Sequence, residues 1–348
     1  MKLSKSLSRF LLIVASASAL FSAGLQDGRA ASTPLADQPL LTAQVPSNVI
    51  LALSVEFPTA LSVAYNTSFS GTGSAYLGYF DPKKCYKYDS ANNYFVPQGP
   101  SGTNYTCASA WSGHFLNWAT MQAIDTFRWA LTGGNRVIDL PVNFTDTQPV
   151  KTVLQRAYAS SDGSECTYFP GRGINASDRA NYTDTAGVGY TDKGLWIRNG
   201  GQGYQFQVAP QIGGAANCSS WGGGSGSVQS YYAQVEVCKN ANGSDGKTLL
   251  ESNCAMYVDP TGTKTAYRPI GLMQQYKLAM NFGAFGYLYD GSSTRDGGVL
   301  RALARPIDLE ISDTGAFYPD PFGLANASRG IIYSGAANYL NKFGSTSL

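Results

Sequence analysis

The chain is 348 residues long, 43% hydrophobic but only 14% charged, with 39 glycines, 22 tyrosines and a formal net charge of +2. So small an excess argues against a nucleic acid or an anionic membrane surface as partner, and the length suffices for one large domain or two small ones. Low charge with many small polar residues suits a secreted, loop-rich protein better than a cytosolic enzyme.

At the N-terminus Lys2, Lys5 and Arg9 precede an apolar stretch from Phe10 to Phe21, too short to span a bilayer comfortably. Gly28-Arg29-Ala30 places small residues at both ends of a cleavage signal, so residues 1–30 read as a secretory signal peptide. Removing them takes away Lys2, Lys5, Arg9, Arg29 and Asp27, which lowers Lys+Arg from 25 to 21 and Asp+Glu from 23 to 22. The mild basicity therefore belongs to the targeting segment. No other stretch is apolar enough for a transmembrane segment.

After an extended, proline-containing lead, the apolar run from Asn48 to Val55 predicts a strand buried on both faces, at the centre of a parallel sheet. Phe115, Ala119, Ala123 and Phe127, widened by Leu116, Ile124 and Leu131, predict one long amphipathic helix from Ser112 to Leu131. Ser112 is its expected N-cap, Trp111 and Leu116 its staple, and Gly133-Gly134 its stop. A second helix is expected near Pro149, carrying Val150, Val153, Leu154, Ala157 and Tyr158. From Ser160 to about Ser230 the periodicity fades among glycines, with a short strand at Tyr204–Val208. Tyr231–Cys238 alternates as one strand does, Gly271–Leu278 reads as a short helix, Met280–Tyr289 as a strand, and Arg329–Lys342 as a closing helix. This order predicts an α/β sheet interrupted by one large excursion.

The six cysteines are Cys85, Cys107, Cys166, Cys218, Cys238 and Cys254. Behind a signal peptide an even number reads as disulfides, and six allow fifteen complete pairings. Enzyme chemistry has little support. His114 is the only histidine, and its place in the first turn of the predicted helix suits a solvated or capping role. There is no nucleophile elbow and no phosphate loop. No C-x-x-C zinc signature occurs.

Three blocks resemble the type IV pilus tip adhesin and assembly family, the PilC/PilY family. They are Tyr79-Phe-Asp-Pro-Lys-Lys-Cys-Tyr-Lys-Tyr88; Trp111-Ser-Gly-His-Phe-Leu-Asn-Trp-Ala-Thr-Met121 running on to Asp125 and Ala130–Gly134; and Val235–Cys238, Leu250–Cys254, Gly271-Leu-Met and Phe282–Tyr287. A fainter match runs from Gly330 to Gly344. The resemblance implies a von Willebrand factor A-like (Rossmann-type) domain over residues 31–348, with an insertion at roughly 160–270 rich in β-strands and loops. In the family a C-terminal β-propeller with a calcium loop follows; the chain stops at Leu348, so it is expected to be truncated. The implied protein is exported to the periplasm, outer surface and pilus tip of a Gram-negative bacterium. Its implied partners are minor pilins and a host or abiotic surface, and it acts without catalysis or cofactor. A secreted polysaccharide-binding or glycoside-cleaving protein on the same scaffold is the alternative.

The family blocks and their short local loops suggest the pairs Cys85–Cys107 and Cys238–Cys254, with Cys166–Cys218 left over. The metal site usual in the A-type fold falls on Ser54, Glu56 and Thr59, where a hydroxyl replaces the first carboxylate and Phe57-Pro58 interrupts the loop, so no working metal site is expected. Asp290-Gly-Ser-Ser-Thr294 reads as a turn. Tyr182, Tyr190, Trp196, Tyr204, Trp221, Tyr231 and Tyr232 either form a contact surface or merely pack the insertion.

Overall fold

The computed structural model describes residues 46–53, 62–158, 168–199, 203–213, 227–288, 297–318 and 335–342, all within one unit, Pro46–Leu348. The segment read as a signal peptide lies outside them. β1 (Ser47–Leu53) is followed by β2 (Lys84–Asp89), β3 (Tyr94–Pro100) and β4 (Trp111–Ser112), then by helices α1 (Gly113–Thr120) and α2 (Ala123–Thr132). β5 (Arg136–Leu140), β6 (Lys151–Gln155) and β7 (Arg172–Ile174) lead to α3 (Ala176–Tyr182), and β8 (Leu195–Asn199), β9 (Gln205–Pro210), β10 (Gln229–Tyr232) and β11 (Gln234–Val237) follow. β12 (Cys254–Val258) and β13 (Thr265–Pro269) form a hairpin before α4 (Leu272–Gln275), β14 (Met280–Leu288), β15 (Gly297–Pro306) and α5 (Ala336–Lys342).

The result is a mixed α/β fold with several sheets and few helices. One sheet runs β1-β14-β15, with β1 parallel to β14; a second has six strands in the order β4-β2-β3-β11-β6-β5; a third runs β10-β9-β8-β7. Two apolar cores result. The larger packs α1 (Phe115, Leu116, Trp118, Ala119) with Phe80, Tyr86, Phe95, Leu154 and Val235 and with Ile197, Phe206 and Val208 of the four-stranded sheet. The smaller gathers Ile124, Ala157, Met273, Phe282, Ala284, Ala302 and Leu340 around the three-stranded sheet.

β14, α4 and the close of α5 fall where the periodicity places them. β1 is a strand as expected, but among the described residues it has one neighbour and is not buried on both faces: Ile50 is 47% exposed. The long helix is broken. Met121 and Gln122 are extended because residues 62–64 pair with the chain there: Val63 bridges Gln122, and the Ala64 N–H donates to the Met121 carbonyl at 2.9 Å. The phase of the stripe shifts at this break, so Phe127 is 42% exposed while α2 buries Ile124, Asp125, Arg128 and Thr132. Ser112 occupies the N-cap position of α1, yet its hydroxyl donates to the Tyr105 carbonyl instead of capping. The stop at Gly133 holds: it is left-handed (φ 83°), and a Cβ there would lie 2.5 Å from the Pro269 carbonyl oxygen.

The helix expected near Pro149 is the strand β6. It lies between β11 and β5 and is buried on both faces, so apolar residues on both sides imitate a helical stripe. Tyr231–Cys238 is likewise two strands. β10 and β11 part at Ala233, whose N–H donates to the Tyr204 carbonyl, and the two halves join different sheets.

The two cores meet at the start of α2. The Asp125 carboxylate, with no exposed surface, accepts the Gln122 N–H at 3.0 Å and the Ala157 N–H at 2.8 Å and is hydrogen-bonded by the Tyr79 hydroxyl. Arg128, equally buried, lies 3.5 Å from it and donates through Nε to the Leu340 carbonyl at 3.0 Å. Burial pushes the Asp125 carboxyl up, against Arg128 and the N–H donors, which hold it down.

His114 is in the first turn of α1, as read, but it is neither solvated nor a cap. It has no exposed surface and is stacked between the Tyr76 and Tyr105 rings at 4.4 and 4.2 Å. Nδ1 accepts the Tyr76 N–H at 3.2 Å, so the proton sits on Nε2 and is donated to the Ser70 carbonyl at 2.9 Å. Burial lowers the imidazole's pKa from its ordinary 6.5.

Two outcomes are expected. Asp125→Ala leaves the Arg128 charge buried and uncompensated, and should cost about 3–5 kcal/mol in urea unfolding, with part recovered when Arg128→Met is added. For His114 the folded pKa lies below the unfolded one, so its stability contribution is present above pH 6.5 and is lost as pH falls. Thermal unfolding between pH 7.5 and 5 should show a steeper loss in the wild type than in His114→Phe, which itself should cost about 1–3 kcal/mol at pH 7.5 by orphaning the Tyr76 N–H.

Candidate binding cleft

The three sequence blocks fold together around a cleft of about 480 Å³. Its first wall is the segment 75–83, which has no regular structure and is strapped to α1 by one side chain. Asn117 accepts the Phe80 N–H at 3.1 Å and donates to the Tyr76 and Phe80 carbonyls at 2.8 and 2.7 Å. Gly78 lets the segment come this close, since a Cβ there would stand 2.5 Å from Asn117 Oδ1. Trp129 of α2 and Pro269 of β13 form a second wall, and Leu154 and Val237 the floor.

The third wall is the loop Leu250–Asn253, closed by the Cys238–Cys254 disulfide. Behind it Lys84 pairs with Glu251 at 2.8 Å, both 8% exposed, and Glu251 also accepts the Cys238 N–H at 2.7 Å. Burial pushes Glu251 up, and the Lys84 ammonium opposes it. The Cys85–Cys107 disulfide begins one residue after Lys84. Both local pairings thus form as expected. Cys166 and Cys218 lie outside the described residues, as do Ser54, Glu56, Thr59 and the Asp290–Thr294 turn. Cys238, Glu251 and Cys254 are close enough to suggest a metal site among the described residues, but the two sulfurs are spent on each other.

The cleft is mostly apolar with a few unspent polar groups. Asp81 Oδ1 accepts the Lys83 N–H at 2.9 Å, while Oδ2 stands 3.7 Å from Lys84 Nζ. The Ser252 hydroxyl, the Asn253 amide and the Trp129 indole N–H have no hydrogen-bond partner among the described residues. None of these was singled out from the sequence, although Asp81, Ser252 and Asn253 lie inside the quoted blocks and Trp129 directly precedes the Ala130–Gly134 stretch. Three blocks far apart in the chain, each mixing aromatic with small polar residues, were the available signal.

The aromatic contact surface needs correction. Tyr182 and Tyr231 are 4% and 9% exposed and belong to the larger core, where Tyr231 packs against Tyr88, Trp111 and Phe206. Tyr231 is a strand residue of β10 and Tyr182 ends α3, and both are buried in that core, so packing claims them. Trp196, Tyr204 and Tyr232 are half-buried, Tyr190 is 56% exposed, and Trp221 lies outside the described residues.

A family model described as "PilY1 homolog, small alpha/beta domain" matches residues 63–202. Two proteins of Xylella fastidiosa, each named type IV pilus biogenesis factor PilY1 homolog, are similar to the chain. One is 33% identical over 86% of this chain and 26% of its own length, the other 29% identical over 70% and 17%. The chain therefore spans about a quarter, or less, of the curated relatives it matches. No solved structure matches it. With the domain match inside the region that builds the larger core, and similarity running through both cores, the chain belongs to the PilY1 homolog family.

Proposed function

We propose that this chain acts by binding, as part of a pilus-associated tip adhesin and assembly factor that contacts minor pilins and a host or abiotic surface. The observation that carries this reading is the similarity over 86% of the chain to a protein named a type IV pilus biogenesis factor. Disulfides accord with an exported protein, and no helix among the described residues is long and apolar enough to cross a membrane.

The reading of the three-stranded sheet as the start of a von Willebrand factor A-like sheet is supported by the parallel pairing of β1 with β14, strands far apart in the chain, and by helices packed on one face. Action without catalysis is supported by the enclosure of the only histidine, both of whose nitrogens are engaged.

Deleting the gene should reduce surface pili, counted by electron microscopy, together with pilus-dependent adhesion. Normal piliation with normal adhesion would overturn this reading and favour a secreted polysaccharide-binding or glycoside-cleaving role.

A further inference from the structure

We propose that the cleft between Trp129, the 75–83 segment and the disulfide loop binds a neutral pyranose unit of a surface glycan. This rests on the binding role proposed above and names the class of ligand.

The cleft is of the size that takes a small organic ligand. Its floor and sides are largely apolar: Leu154 and Val237 below, Tyr79 and the half-buried Trp129 beside. An aromatic face of this kind suits a flat ligand with an apolar side, and the C–H face of a pyranose is one.

The polar groups decide between ligand classes. Asp81, whose carboxylate only accepts, Trp129, whose indole N–H only donates, and Asn253 and Ser252, which do both, all line one small space. An aliphatic or aromatic side chain of a partner protein would desolvate this mixed set without satisfying it, at a cost for each group left unpaired. Ring hydroxyls both donate and accept, so one ligand type answers all four. Asp81 and Lys83 line the cleft with opposite charges and Glu251 is paired with Lys84, so no net charge selects an ionic sugar.

The walls are held before any ligand arrives. Asn117 straps one, the Cys238–Cys254 bridge and the Lys84–Glu251 pair fix another, and Trp129 stands on a helix. Little ordering is then left to occur on binding.

Saturation-transfer NMR on the purified chain, with methyl β-galactopyranoside, methyl β-glucopyranoside and N-acetylglucosamine as probes, tests this. At least one probe should show saturable binding in the millimolar range. Trp129→Ala should weaken it tenfold or more and Asn253→Ala several-fold, whereas Tyr190→Ala, at an exposed aromatic outside the cleft, should not. Ser252→Ala, on an exposed loop position, provides a second variant should Trp129→Ala fold poorly, and should also weaken binding. The proposal is overturned by saturable binding of none of the three probes, or by binding indifferent to the three cleft variants. A chromosomal Trp129→Ala strain separates this proposal from the wider one. Normal pili with weakened adhesion support a glycan cleft. Lost pili would assign the cleft to assembly and sink the glycan, leaving the pilus role intact.

Discussion

A single carboxylate without access to water holds the two cores in register. Asp125 closes the first turn of α2, takes the chain end of β6 through Ala157, and receives the Tyr79 hydroxyl from the cleft wall. Arg128, one helical turn on, neutralises it and reaches α5. Neither charge is tolerable alone at zero exposure, so α2, the cleft wall and the three-stranded sheet must assemble together or not at all. A similar device recurs around Asp139. Arg136 and Arg268 flank it at 2.9 and 3.3 Å and tie β5 to the β12–β13 hairpin. A protein with few charges uses its buried ones as joints.

This explains what the sequence could and could not disclose. Segments whose structure is set locally were readable: the strand at Met280, the short helix at Leu272, the glycine stop at 133 and the two short disulfide loops. Segments set by distant partners were misread. The break at Met121-Gln122 exists because residues 62–64 pair there, and nothing within the helix pattern announces it. Asp125, three residues past Gln122, was the one local hint of a new helix start. β6 failed because a strand buried on both faces has no period of two to detect.

The candidate site was half legible for a related reason. The blocks around Asp81, Trp129 and Asn253 stood out, but their convergence depends on Asn117, Gly78 and a buried Lys84–Glu251 pair, which act across 37 to 167 residues of chain. Counting aromatic residues could not separate packing from contact. A tyrosine such as Tyr231 looks the same in sequence whether it faces a partner or another ring, and here edge-on packing with Tyr88 and Trp111 claims it.

The pairing of β1 with β14 joins residues 233 positions apart. All that lies between, both larger sheets included, is one excursion whose ends return to neighbouring parallel strands. Tension drawn between the start of β1 and the end of β14 would pass across that seven-residue ladder and leave the excursion unloaded. A cleft placed off that line of force keeps its shape while the strands beside it carry the strain.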